Sequence, residues 1–195
     1  MSKGVFNREM KGLNSIKIIR EYCDYVEFHL NSVQTSWAIL KEKCKHMRFI
    51  YDDFVYFTID AMVQGHDVSK MSADEFIQYA EWFKGPYGAQ WESLDVEHES
   101  IHKAAADAFT LAWDHHQTRN PHHWQNWTAI EMVHHPYEKE CHCVCMVIDW
   151  MAMGLKFGDT AEEYYEAHKD EIELPEWAVA FLGEIFEALR GKSKG

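Results

Sequence analysis

The chain has 195 residues, a formal net charge of −13 and 47% apolar residues, with aromatics at 14%. Such length and apolar content support one buried core and exclude a disordered chain. The acidic balance excludes broad binding to nucleic acid or to an anionic membrane.

One domain is expected over residues 1–195, its core at about 15–190, followed by a short flexible C-terminal tail, "RGKSKG". No apolar run approaches about 18 residues, so no segment is expected to span a membrane. The opening "MSKGVFNREMKGLNSIKIIR" lacks the continuous apolar core and small-residue cleavage site of a secretory signal. Five cysteines, three of them in "CHCVC" at 141–145, do not form a disulfide-scaffold layout. Reduced thiols and a cytoplasmic location follow as expectations. In that setting the sequon "NWT" at 126–128 carries no weight.

In chain order, Ile19, Cys23, Val26, Leu30, Val33, Trp37, Leu40 and Cys44 step by fours and threes, which predicts a long helix with one buried seam. "FIYDDFVYFTIDAMV" predicts a second helical stretch leading to Gly65. Ser72 and Glu75 have the spacing of a capping box and open a helix carrying Phe76, Ile77, Ala80 and Phe83. "GPYG" at 85–88 ends it. A helix over about 96–118 stops at Asn120-Pro121, because the residue before proline disfavours helix. Pro136 stands at a first helical position and opens a helix to about Phe157-Gly158. Asp159 with Glu162 caps the next, and Pro175 starts the last. No strand-period alternation appears, so the fold class is all-α.

The chemistry sits on that frame. His29 borders the seam of the first helix, three residues after Val26 and four before Val33. His66-Asp67 follows Gly65 in "GHDVSK". Asp149 lies in "CVCMVIDWMAM", between Cys145 and Met153 on one helical face. A buried carboxylate is costly unless it is paired, protonated or bound to metal. Taken singly, His29 reads as a core histidine and Asp149 as an ion-pair partner. Taken in order, they present His, His-Asp and Asp from three helices.

That order resembles the motif of the HD-domain superfamily, all-α metal-dependent phosphohydrolases. "HDVSK" is similar to the HD-x-[GS]-K step of several branches, including the HD-GYP phosphodiesterases, although no Gly-Tyr-Pro segment is present here. "HDVSKMSADEF", "AW..H...NPHHW" and "DWMAM" further resemble an uncharacterised family of bacterial and phage HD-like proteins, over about residues 25–165. The resemblance implies a single-domain helical bundle in which His29, His66, Asp67 and Asp149 hold a divalent transition metal (Fe, Mn, Co or Zn, with Mg as a further option). It implies a second ion where later histidines join in. His116, in "HHQTRNPHHW", is the shared histidine, with one of His122 and His123 ligating and the other touching substrate or supporting a ligand. Asp67, Lys70 and His116 are then the catalytic candidates. Lys70, Arg119 and Asn120 are the groups for a small phosphorylated substrate, with Lys70 and Arg119 as its local cations.

Two other functions share these residues. One is an HD-fold di-iron oxygenase; the other is a non-catalytic phage or bacterial binding protein with a structural metal site. A separate di-iron reading rests on Glu99-x-x-His102 and Glu131-x-x-His134, the ligand spacing of carboxylate bundles. "CHCVC" is read as small buried hydrophobes rather than zinc ligands. His142, seven residues before Asp149, is a candidate supporting group, and Trp124 and Trp127 are expected to pack.

Overall fold

The computed structural model describes residues 3–92, 96–127 and 134–191, and among these the chain is all-α, with no strand. The helices are α1 (Lys3–Lys43), α2 (Arg48–Tyr51), α3 (Asp53–Gln64), α4 (Phe76–Lys84), α5 (Val96–Arg119), α6 (Pro136–Phe157), α7 (Ala161–His168) and α8 (Glu176–Leu189). Short 3₁₀ turns cover Val68–Met71 and Trp124–Asn126. By contacts the chain divides into two units: Met1–Phe28 with Asp67–Arg119, and His29–His66 with Asn120–Gly195. The tail residues 192–195 lie outside the described residues.

The first unit is built on the N-terminal part of α1. Ile18, Tyr22 and Val26 are buried there with Tyr79 and Ala80 of α4 and Ala112 of α5. Aromatic edges interlock the layers: Tyr22 meets Phe76 at 5.3 Å and Tyr79 meets Phe109 at 5.3 Å, both edge-on. α4 ends at Gly85 as expected. Gly88 is obligatory in the following turn, because a Cβ there would stand 2.0 Å from the Trp82 carbonyl oxygen.

The second unit is centred on α6. Every residue from Cys141 to Ile148 is buried, the signature of a helix enclosed on all sides. Val33, Trp37 and Leu40 of α1, Val55, Ile59 and Val63 of α3, and Leu182 and Ile185 of α8 complete the core. Trp127 is buried and packs on Trp177 at 5.7 Å, so packing is its role, and Trp124 lies against the same core. Asp52 breaks the predicted second stretch into α2 and α3 by capping the latter, its carboxylate accepting from the Phe54 and Val55 N–H groups.

Three local expectations are corrected. The seam of α1 runs Ile18, Tyr22, Val26, His29, Val33, Trp37, Leu40 and Cys44, whereas Ile19, Cys23 and Leu30 are exposed. A tyrosine and a histidine occupy positions that an apolar count passes over, and the helix itself begins by Lys3. Ile77 and Phe83 of α4 are partly exposed, and Tyr79 with Ala80 carries its buried side. The cap of α7 is Thr160 with Glu163, one residue beyond Asp159 and Glu162; Thr160 Oγ1 accepts from the Glu163 N–H and Glu163 accepts from the Thr160 N–H.

Gly154 gives a stability test. A methyl group on it would lie 2.3 Å from the carbonyl oxygen of Asp159, which is backbone and cannot step aside. Gly154→Ala should lose about 1–3 kcal/mol through overpacking. Gly183→Ala in α8, where nothing lies within 4 Å of the added carbon, should be neutral or gain up to about 1 kcal/mol from helix propensity. Urea unfolding of the two variants checks the contrast.

Candidate metal centre

In the second unit, three side chains converge, two from helices and one from the turn after α3. His29 comes from the buried seam of α1 and is 3% exposed. His66 follows Gly65, which closes α3, and is 5% exposed. Asp149 projects from α6. His29 Nε2 lies 3.3 Å from His66 Nε2 and 3.3 Å from Asp149 Oδ1, and His66 Nε2 lies 3.4 Å from the same oxygen. This is a nearly equilateral triangle of ligand atoms. An ion held at about 2.0–2.1 Å in tetrahedral coordination separates its ligands by about 3.3–3.4 Å, so the triangle has the edge such an ion requires. Burial pushes the Asp149 carboxyl up. The hydrogen bonds and charges of His29 and His66 outweigh it and hold the group well below the usual carboxylate range.

The Asn120-Pro121 break places two more imidazoles in this unit. His122 stacks on His66 with ring centroids 4.4 Å apart, and His123 lies 4.5 Å from His122. One ligand atom each from His122, His123 and Asp149 fall within 4.8 Å of one another. Asp149 therefore belongs to two potential ligand sets. The buried His/Asp cluster can hold a metal ion.

The first unit holds a second polar cluster. Asp67, 3% exposed, adopts a left-handed backbone with φ 55°, the only positive φ among the described non-glycine residues. Aspartate tolerates this better than most side chains, and such strain gathers at functional sites. Asp67 Oδ2 accepts from Lys70 Nζ at 2.5 Å, and Asp67 Oδ1 lies 3.2 Å from His116 Nε2. His116 Nδ1 donates to Glu75 Oε2 at 2.8 Å, with Ser69 Oγ 3.1 Å away. His115 Nδ1 donates to the other Glu75 oxygen at 2.7 Å. Burial, reinforced by the charges of Asp67 and Glu75 among others, pushes the Tyr22 and Tyr79 hydroxyls up, so both stay protonated.

The predicted residues fall in both units. His29, His66 and Asp149 come together with His122 and His123 nearby; Asp67, Lys70 and His116 come together in the other unit. Lys70 is buried with its ammonium on Asp67. Arg119 is exposed in the last turn of α5, and Asn120 is buried just beyond it. Glu75 was expected to cap α4 with Ser72. Instead it is fully buried and both its oxygens serve histidines, so the capping box does not form. The signal that marks it is the pair His115-His116, since only two donors together make a fully buried carboxylate tolerable.

The separate bundle-type reading finds no matching arrangement among the described residues. His102 Nδ1 donates to the Tyr87 carbonyl at 2.9 Å and its ring lies on Trp91, while Glu99 is exposed. Glu131 lies outside the described residues. The cysteines of "CHCVC" are buried, and burial pushes the Cys141 thiol up to about 12 and those of Cys143 and Cys145 further, as inert hydrophobic thiols require.

Residues 19–188 match the model of a family of unknown function, DUF5662. No curated protein matches the chain, and no solved structure does. No single helix among the described residues is long and apolar enough to cross a membrane.

His142, on α6, supplies a pH test. Burial first, then the charges of His134 and His122, bring its pKa down to about 4 from 6.5. The folded state therefore binds this proton less readily than the unfolded chain. Stability from the neutral ring is complete above about pH 6.5 and is lost as pH falls toward 4. At pH 5 the wild type should have lost about 2 kcal/mol more than His142→Gln, each relative to its own value at pH 7.5. Urea unfolding in chelator measures this, and parallel pH profiles would remove His142 as the responsible group.

Proposed function

Since the chain belongs to that family of unknown function, we propose from its own chemistry that it is a metal-dependent phosphohydrolase acting on a nucleotide or another small phosphoester. The observation that carries this reading is the triangle of His29 Nε2, His66 Nε2 and Asp149 Oδ1 with edges of 3.3–3.4 Å. Two imidazoles and one carboxylate suit Fe, Mn, Co or Zn better than an all-oxygen cation. Their order along the chain, with Asp67 directly after His66, resembles that of the HD motif. His122 and His123, beside Asp149, serve a second ion or the substrate.

A divalent ion so held supplies Lewis acidity toward a phosphoryl oxygen and a water nucleophile usable at neutral pH. The protein's own groups do the rest. His116, with Nδ1 donating to Glu75, turns Nε2 toward Asp67. Lys70 holds the second Asp67 oxygen and so fixes that carboxylate. Arg119, exposed at the end of α5, and Asn120 next to it offer a charged and a neutral donor for phosphate oxygens in a chain whose net charge otherwise repels them. The free cysteines suit a reducing, cytoplasmic setting.

The test is metal content followed by hydrolysis. Metal-stripped protein reloaded singly with Mn, Fe, Co or Zn should release phosphate from at least one nucleotide or generic phosphoester. Asp149→Asn should lose both metal and turnover. Asp67→Asn should abolish turnover, and because asparagine also tolerates a left-handed backbone, its loss reports on the carboxylate and not on strain. Lys70→Met should keep the metal, as the triangle is untouched, and lower turnover about 10- to 100-fold. Two irons with oxygen consumption and no phosphate release would replace this reading with an oxygenase. A folded protein that binds none of these metals would end it in favour of a binding protein.

A further inference from the structure

The deepest carboxylate in the first unit belongs to a residue that the proposed chemistry does not use directly. Glu75 is 0% exposed, at the N-cap of α4. A buried carboxylate survives only where donors surround it. Glu75 finds them in consecutive residues of α5: His115 Nδ1 at 2.7 Å on Oε1 and His116 Nδ1 at 2.8 Å on Oε2. A carboxylate oxygen only accepts, so the His116 proton at this contact resides on Nδ1. The ring cannot turn away, since Trp113 stacks on it and Tyr79 meets it edge-on, each with centroids 5.8 Å apart.

We infer that Glu75 is a positioning residue: by taking the Nδ1 proton it fixes the tautomer of His116 and presents the Nε2 lone pair beside Asp67 Oδ1, 3.2 Å away, as a ready cation ligand. The inference rests on the metal reading for what that lone pair serves, although the tautomer itself does not. Carboxylates placed behind histidines in this way set the ring's orientation and tautomer. Glu75 does so for His116 while its second oxygen holds His115, which ties the helix beginning at Phe76 to the last turns of α5. Ser69 Oγ lies 3.1 Å from the same nitrogen. A purely structural carboxylate would need only to be hydrogen-bonded. It would have no bearing on which nitrogen faces Asp67.

Long-range proton–nitrogen correlation spectra of the ¹⁵N-histidine-labelled, metal-free wild type read the tautomer directly. His116 should be protonated on Nδ1, and finding the proton on Nε2 alone overturns the inference whatever the variants do. In Glu75→Gln one carboxylate oxygen becomes an amide donor, so His116 should shift toward the Nε2–H form. Zn²⁺ or Co²⁺ affinity, followed by competition with a chromophoric chelator, should fall about 10- to 100-fold. Glu75→Asp, which keeps the charge, should restore part of that affinity. A Glu75→Gln protein that is merely less stable, with tautomer and affinity unchanged, shows a structural role and overturns the inference. If the wild type shows the Nδ1–H tautomer and Glu75→Gln shifts it while no metal binds to either, the positioning role stands and the metal reading fails.

Discussion

The whole arrangement depends on the cost of placing carboxylates away from water. Asp149 sits on α6, a helix whose surroundings are apolar from Cys141 to Ile148, where an isolated negative charge is worth several kcal/mol against folding. That cost is offset only because α1 delivers His29 in its buried seam and the end of α3 delivers His66, both to one oxygen. These two histidines are therefore as much a folding requirement of α6 as a ligand set. Geometry that satisfies the carboxylate and geometry that holds an ion are the same geometry, which is why the triangle can be preformed.

Glu75 solves the same problem in the other unit, again with two imidazoles on one carboxylate. The two solutions differ in a way that matters for chemistry. At Asp149 both rings approach a single oxygen and each other, leaving one shared point. At Glu75 each ring takes its own oxygen, and the far nitrogen of His116 faces Asp67 Oδ1. The first pattern gathers potential ligand atoms at one point; the second fixes the orientation of a ring.

Much of this was legible from residue order. The helix boundaries set by Asn120-Pro121, Pro136 and Gly158 are backbone chemistry, and a proline or a left-handed glycine acts regardless of tertiary context. His29 and Asp149 could be placed beside buried faces because helical periodicity survives in a single sequence. What failed is equally physical. Tyr22 lies in the seam of α1 while Ile19 and Leu30, expected there, are exposed, because burial follows what a neighbouring helix presents rather than hydropathy alone. Glu75 has the spacing of a cap, and local spacing cannot reveal that two donors forty residues on in α5 compete for it. Lys70 is expected as a local cation for substrate, and local spacing does not show that its ammonium lies on Asp67. A short loop lysine has that option whenever a carboxylate stands three residues before it.

The concentration of histidine between 115 and 127 follows from the same constraint. Lysine or arginine would neutralise buried carboxylates, but each brings a permanent charge and no lone pair. Imidazole alone can donate from one nitrogen and offer a ligand atom on the other. His115 and His116 use the donor side on Glu75, while the turn at Asn120-Pro121 separates them from His122 and His123, which stack with His66 beside Asp149. The break thus divides one histidine-rich stretch into a pair that satisfies a carboxylate and a pair placed next to a ligand triangle. An uninterrupted helix would have kept all four along a single axis and served only one of those needs.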